Sequence, residues 1–151
     1  MEYSINNHFW RIKGVIMDTH QGSCLCGEIT FKVTGQPVRQ GNCHCTACKK
    51  ATGAAYATIV FFKEDQISQL SGETKSYEYI SDKGNTKRKM FCKKCGSIVF
   101  GNNTGRPGIK SVYVGTFDDA SFVKPTFNVY TSRAFPFVPI DEKLDSYSEG
   151  N

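Results

Sequence analysis

The alternation of apolar and polar residues is clearest in a short segment near the first cysteines. Residues 28–33 place Ile29, Phe31 and Val33 on one face, and the Gly-Gln-Pro sequence that follows ends the segment. Residues 56–62 alternate little and are rich in aromatic and β-branched side chains, which is typical of a central strand covered on both faces. The pattern predicts a protein built mainly from β-strands.

The remaining segments favour the same fold class. Further strands are predicted at 75–80, 87–91, 98–100, 109–114 and 127–130. Helix is scarce, with one short helical turn predicted at 46–52 before Gly53 and another at 64–70 before Gly72.

The length of the chain suits a single domain. With 151 residues, 39% of them hydrophobic, it can bury roughly two thirds of the surface that its unfolded form exposes. We expect one domain over residues 1–151, with residues 1–20 and 141–151 as appendages. No apolar run approaches the ~20 residues that cross a bilayer, and residues 15–17 are too few for a signal-peptide core. The sequence therefore predicts a soluble, cytoplasmic protein without a membrane partner.

The seven cysteines fall into three close groups. These are Cys24-x-Cys26, Cys43-x-Cys45-x-x-Cys48 and Cys92-x-x-Cys95. A disulfide framework is disfavoured, because seven thiols cannot all pair and a domain of this size has a core of its own. Close spacings point to metal or redox chemistry, and pairs from distant positions favour thiolate coordination of zinc.

The first and last groups have the form of two zinc knuckles. Gly27 and Gly96 each follow the second cysteine of a pair, where the backbone often needs a positive φ that glycine accepts. Amides of such turns can donate hydrogen bonds to the sulfurs. The two pairs predict a closed, structural four-sulfur zinc site made of Cys24, Cys26, Cys92 and Cys95.

Three cysteines remain for a second site: Cys43, Cys45 and Cys48. Three protein ligands and one open position describe a catalytic zinc. His44 is an alternative fourth ligand, but it lies between two ligands, and adjacent residues usually point apart. His8 and His20 are more simply explained as surface histidines.

Alternative roles for the cysteines stay open on the residues alone. Both sites can be purely structural, or one zinc site can accompany three ordinary buried thiols, since free cysteine is among the most buried residue types. A thioredoxin-like role for Cys92 and Cys95 fits poorly, because that motif expects a strand-to-helix turn and residues 98–100 have the pattern of a strand.

Basic residues gather near the cysteines. The chain has 19 Lys+Arg and 14 Asp+Glu, a formal charge of +5, with basic runs at 49–50, 87–89 and 93–94. These runs form either a solvated surface that offsets thiolate charge or a rim that attracts a substrate with carboxylates. Seven thiolates and two Zn²⁺ would reduce the charge to about +2. We therefore expect no nucleic-acid partner, which would require a strongly basic patch.

Several motifs match a known family. They are G-S-C-L-C-G at 22–27, C-H-C-T-A-C-K-K at 43–50, T-G-A at 52–54, C-K-K-C-G at 92–96, V-Y-V-G-T-F-D-D at 112–119 and Y-T-S-R-A at 130–134. Over about residues 22–137 the chain closely resembles the glutathione-dependent formaldehyde-activating enzyme family, which also contains centromere protein V. All seven cysteine positions of the family are filled.

The resemblance implies a β-tent, a fold of twisted antiparallel sheets joined by zinc knuckles. It implies two zinc ions per chain, a structural one on the four-cysteine set and a catalytic one on Cys43, Cys45 and Cys48. The implied activity is of the carbon–sulfur lyase type, in which glutathione and formaldehyde form S-(hydroxymethyl)glutathione, and a related thiol or another aldehyde can replace them. For substrate carboxylates we expect contacts from Lys49, Lys50 and Arg133.

Two further functions remain. The first is a non-enzymatic zinc module that binds a protein partner, as some relatives do. The second is methionine sulfoxide reduction, which fits poorly because that chemistry needs a free nucleophilic cysteine and every thiol here has a role in metal binding.

Overall fold

Most of the chain forms β-strands, and this computed structural model describes the backbone of residues 9–12 and 15–150 and the side chains of residues 17–150. The strands are β1 (Phe9–Ile12), β2 (Val15–Ser23), β3 (Thr30–Thr34), β4 (Arg39–Cys43), β5 (Ala57–Lys63), β6 (Ile67–Ser71), β7 (Thr74–Ile80), β8 (Thr86–Cys92), β9 (Ile98–Asn103), β10 (Ile109–Tyr113), β11 (Phe127–Val129) and β12 (Asp145–Ser146). One α-helix, α1 (Thr46–Thr52), lies between β4 and β5, and the short 3₁₀ segments are Glu64–Gln66, Val114–Thr116 and Thr131–Arg133.

The strands form two twisted sheets. The smaller sheet has the order β1-β2-β3-β6, and the larger has the order β12-β11-β4-β5-β10-β9-β8-β7. Pairing is antiparallel except at β11, which pairs in parallel with both β4 and β12. The mainly β, twisted antiparallel architecture predicted from the sequence is confirmed.

The main core lies where the two sheets face each other. Ile29, Phe31 and Val33 are fully buried, as the alternation predicted, and they pack with Val60 and Phe62 of β5 in the larger sheet. Edge-to-face aromatic pairs add to the apolar burial, which is the dominant favourable term in folding. The ring of Phe31 lies 5.2 Å from that of Phe100 and 5.5 Å from that of Phe117.

The opposite face of the larger sheet carries a second, smaller cluster. Because side chains alternate along a strand, Ile59 of β5 and Tyr113 of β10 point away from the main core. They pack against Cys45 and Cys48 at the start of α1. The main core thus holds the two sheets together, and the smaller cluster on the opposite face positions α1.

Helix α1 has the bounds that the sequence predicted. It ends at Gly53, whose left-handed backbone (φ 71°) allows its amide to donate to the carbonyl of Lys49. Within the part of the chain that the structure describes, no helix is both long and apolar enough to cross a membrane.

The predicted helix at 64–70 is wrong. Only Glu64–Gln66 form a helical turn, and Ile67–Ser71 continue as β6 along β3. The side chain of Gln66 accepts from the Lys63 amide and donates to the Thr34 carbonyl, which ends the turn against the smaller sheet. Pairing with the buried strand β3 therefore overrides the local helical preference.

Within the described residues, parts of both expected appendages pair with the sheets. Residues 15–20 belong to β2, where Thr19 and His20 face Thr34 and Val33 of β3. At the other end β12 pairs with β11, and the Tyr147 amide donates to the Asn128 carbonyl. Backbone hydrogen bonds thus bring parts of both segments into the sheets, although many of their side chains are polar.

At Gly22, β2 lies close against Phe31 and the segment that follows β10. Gly22 forms an isolated bridge with Phe117, and a β-carbon at Gly22 would collide with the Thr116 carbonyl oxygen and the Phe31 ring. We expect Gly22→Ala to lower the free energy of unfolding by about 1–3 kcal/mol, the usual cost of overpacking. Urea denaturation followed by circular dichroism measures this change.

The matched control is Gly115→Ala. Gly115 lies next to Thr116, and a β-carbon there meets no atom within 4 Å. Its unfolding midpoint should stay close to that of the wild type. If Gly22→Ala and the wild type had equal unfolding midpoints, the close approach of Gly22 to Thr116 and Phe31 would be contradicted.

Candidate functional site

Four cysteines from two distant turns meet at one end of the fold. Cys24 and Cys26 come from the turn between β2 and β3, while Cys92 ends β8 and Cys95 lies in the turn between β8 and β9. All four Sγ atoms lie within 4.8 Å of one another. The Cys24–Cys26 and Cys26–Cys92 sulfur separations are 3.6 and 3.8 Å, close to the roughly 3.8 Å expected between thiolates on one tetrahedral zinc.

Backbone amides of the two turns point at the sulfurs of this four-cysteine cluster. Ile29 N–H donates to Cys24 Sγ at 3.2 Å, and Lys94 N–H donates to Cys92 Sγ at 3.4 Å. Gly27 and Gly96 have φ of 81° and 77°, as the knuckle pattern predicted. The cluster therefore has both the spacing and the hydrogen-bond donors of a closed metal site.

Ser97 adds a further donor to that cluster. Hydrogen bonds from its hydroxyl and then from its amide lower the pKa of Cys95 to about 5. Because thiolates rather than thiols bind metals, this lowered pKa favours the ligand form of Cys95 at neutral pH.

The three remaining cysteines meet on the other face of the larger sheet. Cys43 ends β4, between Ala57 of β5 and Val129 of β11, while Cys45 caps α1 and Cys48 lies in its first turn. Their Sγ atoms also lie within 4.8 Å of one another.

Hydrogen bonds in this three-cysteine cluster favour the thiolate of Cys45. Cys45 Sγ accepts from the Cys48 amide at 3.3 Å, as a helix N-cap side chain does. The neighbouring thiols of Cys43 and Cys48 lower the pKa of Cys45 to about 2, whereas the same contacts raise the pKa of Cys43. The cluster can therefore supply thiolate ligands only if further positive charge compensates them.

The structure does not bring His44 to the three cysteines. No described histidine or carboxylate joins the three sulfurs within ligand distance. His44 is buried, its ring packs 4.9 Å from that of Tyr56, and its Nδ1 has no hydrogen-bond partner. His20 stacks on Phe122 at 3.6 Å, and His8 lies outside the described residues. Among the described residues the cluster thus offers three candidate protein ligands.

Lys89 of β8 is the cation closest to the three-cysteine cluster. Its Nζ lies 3.4 Å from Cys48 Sγ and 2.6 Å from the Tyr113 hydroxyl oxygen. Burial alone would lower the pKa of Lys89, but the charge of Cys48 and the contact with Tyr113 raise it above its ordinary value. Burial also raises the pKa of Tyr113, so the phenol stays protonated. Sequence reasoning placed Lys89 in a basic run without singling it out.

Cys43 and Cys48 open onto a groove of about 290 Å³, near the lower end of ligand-pocket sizes. No aspartate or glutamate is found among the described residues that line it. Its cationic lining residues are Lys83, Lys87, Lys89 and Arg106, together with Arg88, whose guanidinium pairs with Glu78. The groove therefore places an anion-attracting wall beside two of the three sulfurs.

Tyr130 lines the same groove in an unusual conformation. Among the described residues it alone, apart from glycines, has a positive φ (56°), a conformation that strains an aromatic residue. Its ring lies 5.0 Å below the Arg133 guanidinium, and its amide donates to the Glu149 carbonyl. Tyr130 opens the Y-T-S-R-A motif, but no sequence signal indicated its left-handed backbone.

The three residues expected to contact substrate carboxylates have other surroundings. Lys49 donates to the Arg133 carbonyl and lies 3.9 Å from the Phe135 ring centroid, and Lys50 is exposed. Arg133 pairs with Asp82 at 2.7 Å and Glu149 at 3.6 Å. None of the three lines the groove where the structure describes it. Their role in substrate binding stays a prediction.

Curated proteins similar to this chain carry a consistent name. Relatives from Aspergillus flavus and Aspergillus oryzae are each 25% identical over 114 residues, which cover 72% of this chain and 59% of the relative. A relative from Halomonas elongata is 30% identical over 84 residues, 53% of this chain and 54% of the relative. All three are provisionally named glutathione-dependent formaldehyde-activating enzymes. The matched regions thus span somewhat more than half the length of these relatives.

A solved structure supports the fold. A Rhodobacter sphaeroides protein matches with a TM-score of 0.53 and 19% identity, covering 70% of this chain and 91% of that one. The family model described as glutathione-dependent formaldehyde-activating enzyme matches residues 19–133, which include both cysteine clusters. This chain therefore belongs to the glutathione-dependent formaldehyde-activating enzyme family.

Proposed function

We propose that this protein is a zinc-dependent enzyme of the carbon–sulfur lyase type that joins glutathione or a related thiol to formaldehyde or another aldehyde. One observation carries the proposal. The three-cysteine cluster opens through Cys43 and Cys48 onto a groove with cationic walls and no described acidic residue. Family membership supplies the reaction class, and the groove supplies a place for a thiol beside the sulfurs.

The donor sets fit two zinc ions with different tasks. Cys24, Cys26, Cys92 and Cys95 would hold one in a closed site, and Cys43, Cys45 and Cys48 would hold the other with a position left for substrate. Zinc in the open site would favour the thiolate form of a substrate thiol more than it would polarise a carbonyl, because three anionic ligands reduce its electrophilicity.

The chain itself binds and orients the substrate. Glutathione carries two carboxylates, and the groove offers Lys83 and Arg106 to receive them. Holding the thiol and the aldehyde together gives the proximity advantage of an intramolecular reaction. A sulfur lone pair forms the new C–S bond while the carbonyl π pair moves to oxygen, which takes up the proton that the thiol released.

The alternative is a non-enzymatic zinc module that binds a protein partner. That function predicts a second site closed by a fourth protein ligand. His44 was the nearest candidate in sequence, and it is directed toward Tyr56 instead. The three-ligand geometry of the described residues therefore favours the enzyme.

The two clusters should respond differently to loss of one cysteine. A structural zinc contributes folding free energy comparable to the whole stability margin of about 5–15 kcal/mol, so Cys92→Ser should unfold the protein or leave it marginally stable. Cys45→Ser should stay folded with one zinc, because a serine hydroxyl can still accept from the Cys48 amide as the N-cap of α1. Elemental analysis and thermal unfolding measure both outcomes.

The wild type provides the reference for these variants, with two zinc per chain. A folded Cys92→Ser protein with an unchanged melting temperature would contradict the structural role of the four-cysteine cluster. Unfolding of Cys45→Ser would instead show that the second cluster also holds the fold together, as in the purely structural alternative.

Activity can be separated from the spontaneous reaction of formaldehyde with thiols. NMR exchange spectroscopy should show faster formation of S-(hydroxymethyl)glutathione with the wild-type protein than without protein. Cys45→Ser, folded but lacking one ligand, should return the exchange rate to the uncatalysed value. A series of other thiols and aldehydes belongs in the same experiment, and the absence of acceleration with any pair would overturn the proposed function.

The groove predicts which cation recognises the carboxylates. Arg106→Gln should raise KM for glutathione roughly fivefold, the usual limit for one partly exposed ion pair, and leave KM for 2-mercaptoethanol unchanged because that thiol has no carboxylate. The control Lys50→Gln removes an exposed charge outside the groove and should alter neither value. If Lys50→Gln raised the KM for glutathione and Arg106→Gln did not, the carboxylate contacts expected from the sequence would be favoured.

A further inference from the structure

Lys89 differs from the other lysines near the cysteines in the groups that contact its ammonium. Lys93 pairs with Glu73 at 2.6 Å, and Lys94 pairs with Glu28 at 3.3 Å, both beside the four-cysteine cluster. Lys89 takes part in none of the ion pairs found among the described residues. Its Nζ lies 3.4 Å from Cys48 Sγ and 2.6 Å from the Tyr113 hydroxyl, and the Tyr79 ring centroid lies 5.9 Å from it.

The alternation of β8 fixes this arrangement. Met90 and Cys92 point into the main core, while Lys87 and Lys89 line the groove on the other face. Tyr113, only 6% exposed, packs beside Cys48 and accepts the hydrogen bond from Lys89 Nζ. The ammonium is therefore held against the sulfur by a strand and a buried phenol.

The charge of the three-cysteine cluster explains why a cation belongs there. Three thiolates around a divalent ion carry a net charge of −1, and a substrate thiolate that joined them would raise it to −2. In a partly buried site an ammonium at hydrogen-bond distance offsets much of this repulsion, since electrostatic interactions strengthen as water is excluded. The closed four-cysteine cluster has no such incoming charge to accommodate.

We propose that Lys89 is a positioning residue that allows a substrate thiolate to join the three-cysteine centre, through its contact with Cys48 and independently of the substrate's carboxylates. The inference rests on the proposed function, because it concerns how the same centre accepts a thiol. It assigns to Lys89 a task distinct from the carboxylate recognition expected of Arg106.

The test measures thiol binding without turnover. Protein loaded with Co²⁺ in place of zinc is titrated with glutathione and with 2-mercaptoethanol, and growth of the sulfur-to-cobalt absorption gives Kd for each. Lys89→Met should raise both values by the same factor, on the order of tenfold. Equal weakening is the signature of a charge that acts on the centre, because the two thiols share only their sulfur.

Matched variants separate charge from packing. Lys89→Gln also removes the charge but keeps a hydrogen-bond donor for Tyr113, so it should weaken both thiols like Lys89→Met. Lys89→Arg keeps the charge and should hold both Kd values within about threefold of the wild type. Lys87→Met removes a cation from the same strand face without touching a sulfur, and its Kd for 2-mercaptoethanol should match the wild type.

Each outcome has a definite meaning. The cobalt spectrum before thiol addition shows whether a variant keeps the three-sulfur centre. If Lys89→Met does not keep that centre, the Kd values of Lys89→Gln test the role of Lys89 in its place. Unchanged Kd values in the neutral variants overturn the role of Lys89 and leave the proposed function intact. Weakening for glutathione alone would make Lys89 a carboxylate contact instead. A wild-type spectrum that responds to no thiol overturns the proposed function and this inference together.

Discussion

Sulfur atoms held within 4.8 Å of one another cannot all be negatively charged unless cations or hydrogen-bond donors compensate them. This constraint applies to both cysteine clusters, and the surrounding structure compensates the negative charge in two ways. At the four-cysteine cluster the donors are mainly turn amides and a serine hydroxyl, aimed inward from two knuckles. At the three-cysteine cluster an ammonium from a sheet strand reaches a sulfur directly.

The alternation of side chains in the larger sheet lets one layer serve both the core and the site. In β5, Val60 and Phe62 face the smaller sheet, whereas Ile59 faces α1 and the three cysteines. In β8, Met90 faces the core and Lys89 faces the groove. A rigid, well-packed layer therefore sets the position of the site residues, and α1 needs only seven residues because the sheet supports it.

Local sequence patterns were sufficient to predict the elements that depend on neighbouring residues in the chain. The end of α1 follows from the left-handed Gly53, a signal visible in the sequence, whereas the cap at Cys45 is seen only in the structure. The division of the cysteines into four and three followed from spacing and is the division that the structure shows. The alternating buried positions of β3 were equally clear.

Elements that depend on distant partners could not be predicted in this way. Strand β4 is largely polar in sequence, yet it pairs with β5 and β11 and places Cys43 at the site. Strand β6 has a helical pattern, but Gln66 ties its start to β3. Lys89 was only one member of a basic run, because its contact with Cys48 depends on sheet register, and the motif that contains Tyr130 did not indicate its strained backbone.

The basic runs show most clearly why sequence proximity to cysteine is not enough. Residues 87–89 and 93–94 are both close to cysteines along the chain, and both suggested one rim of positive charge. Around the four-cysteine cluster the lysines are neutralised by glutamates, so this surface resembles ordinary solvated charge. Around the groove the lining has cations and no described acid, and one of those cations contacts a sulfur. Cations without an acidic neighbour in the lining are therefore found beside the three-cysteine cluster, and the net charge of the chain does not show where an anion would bind.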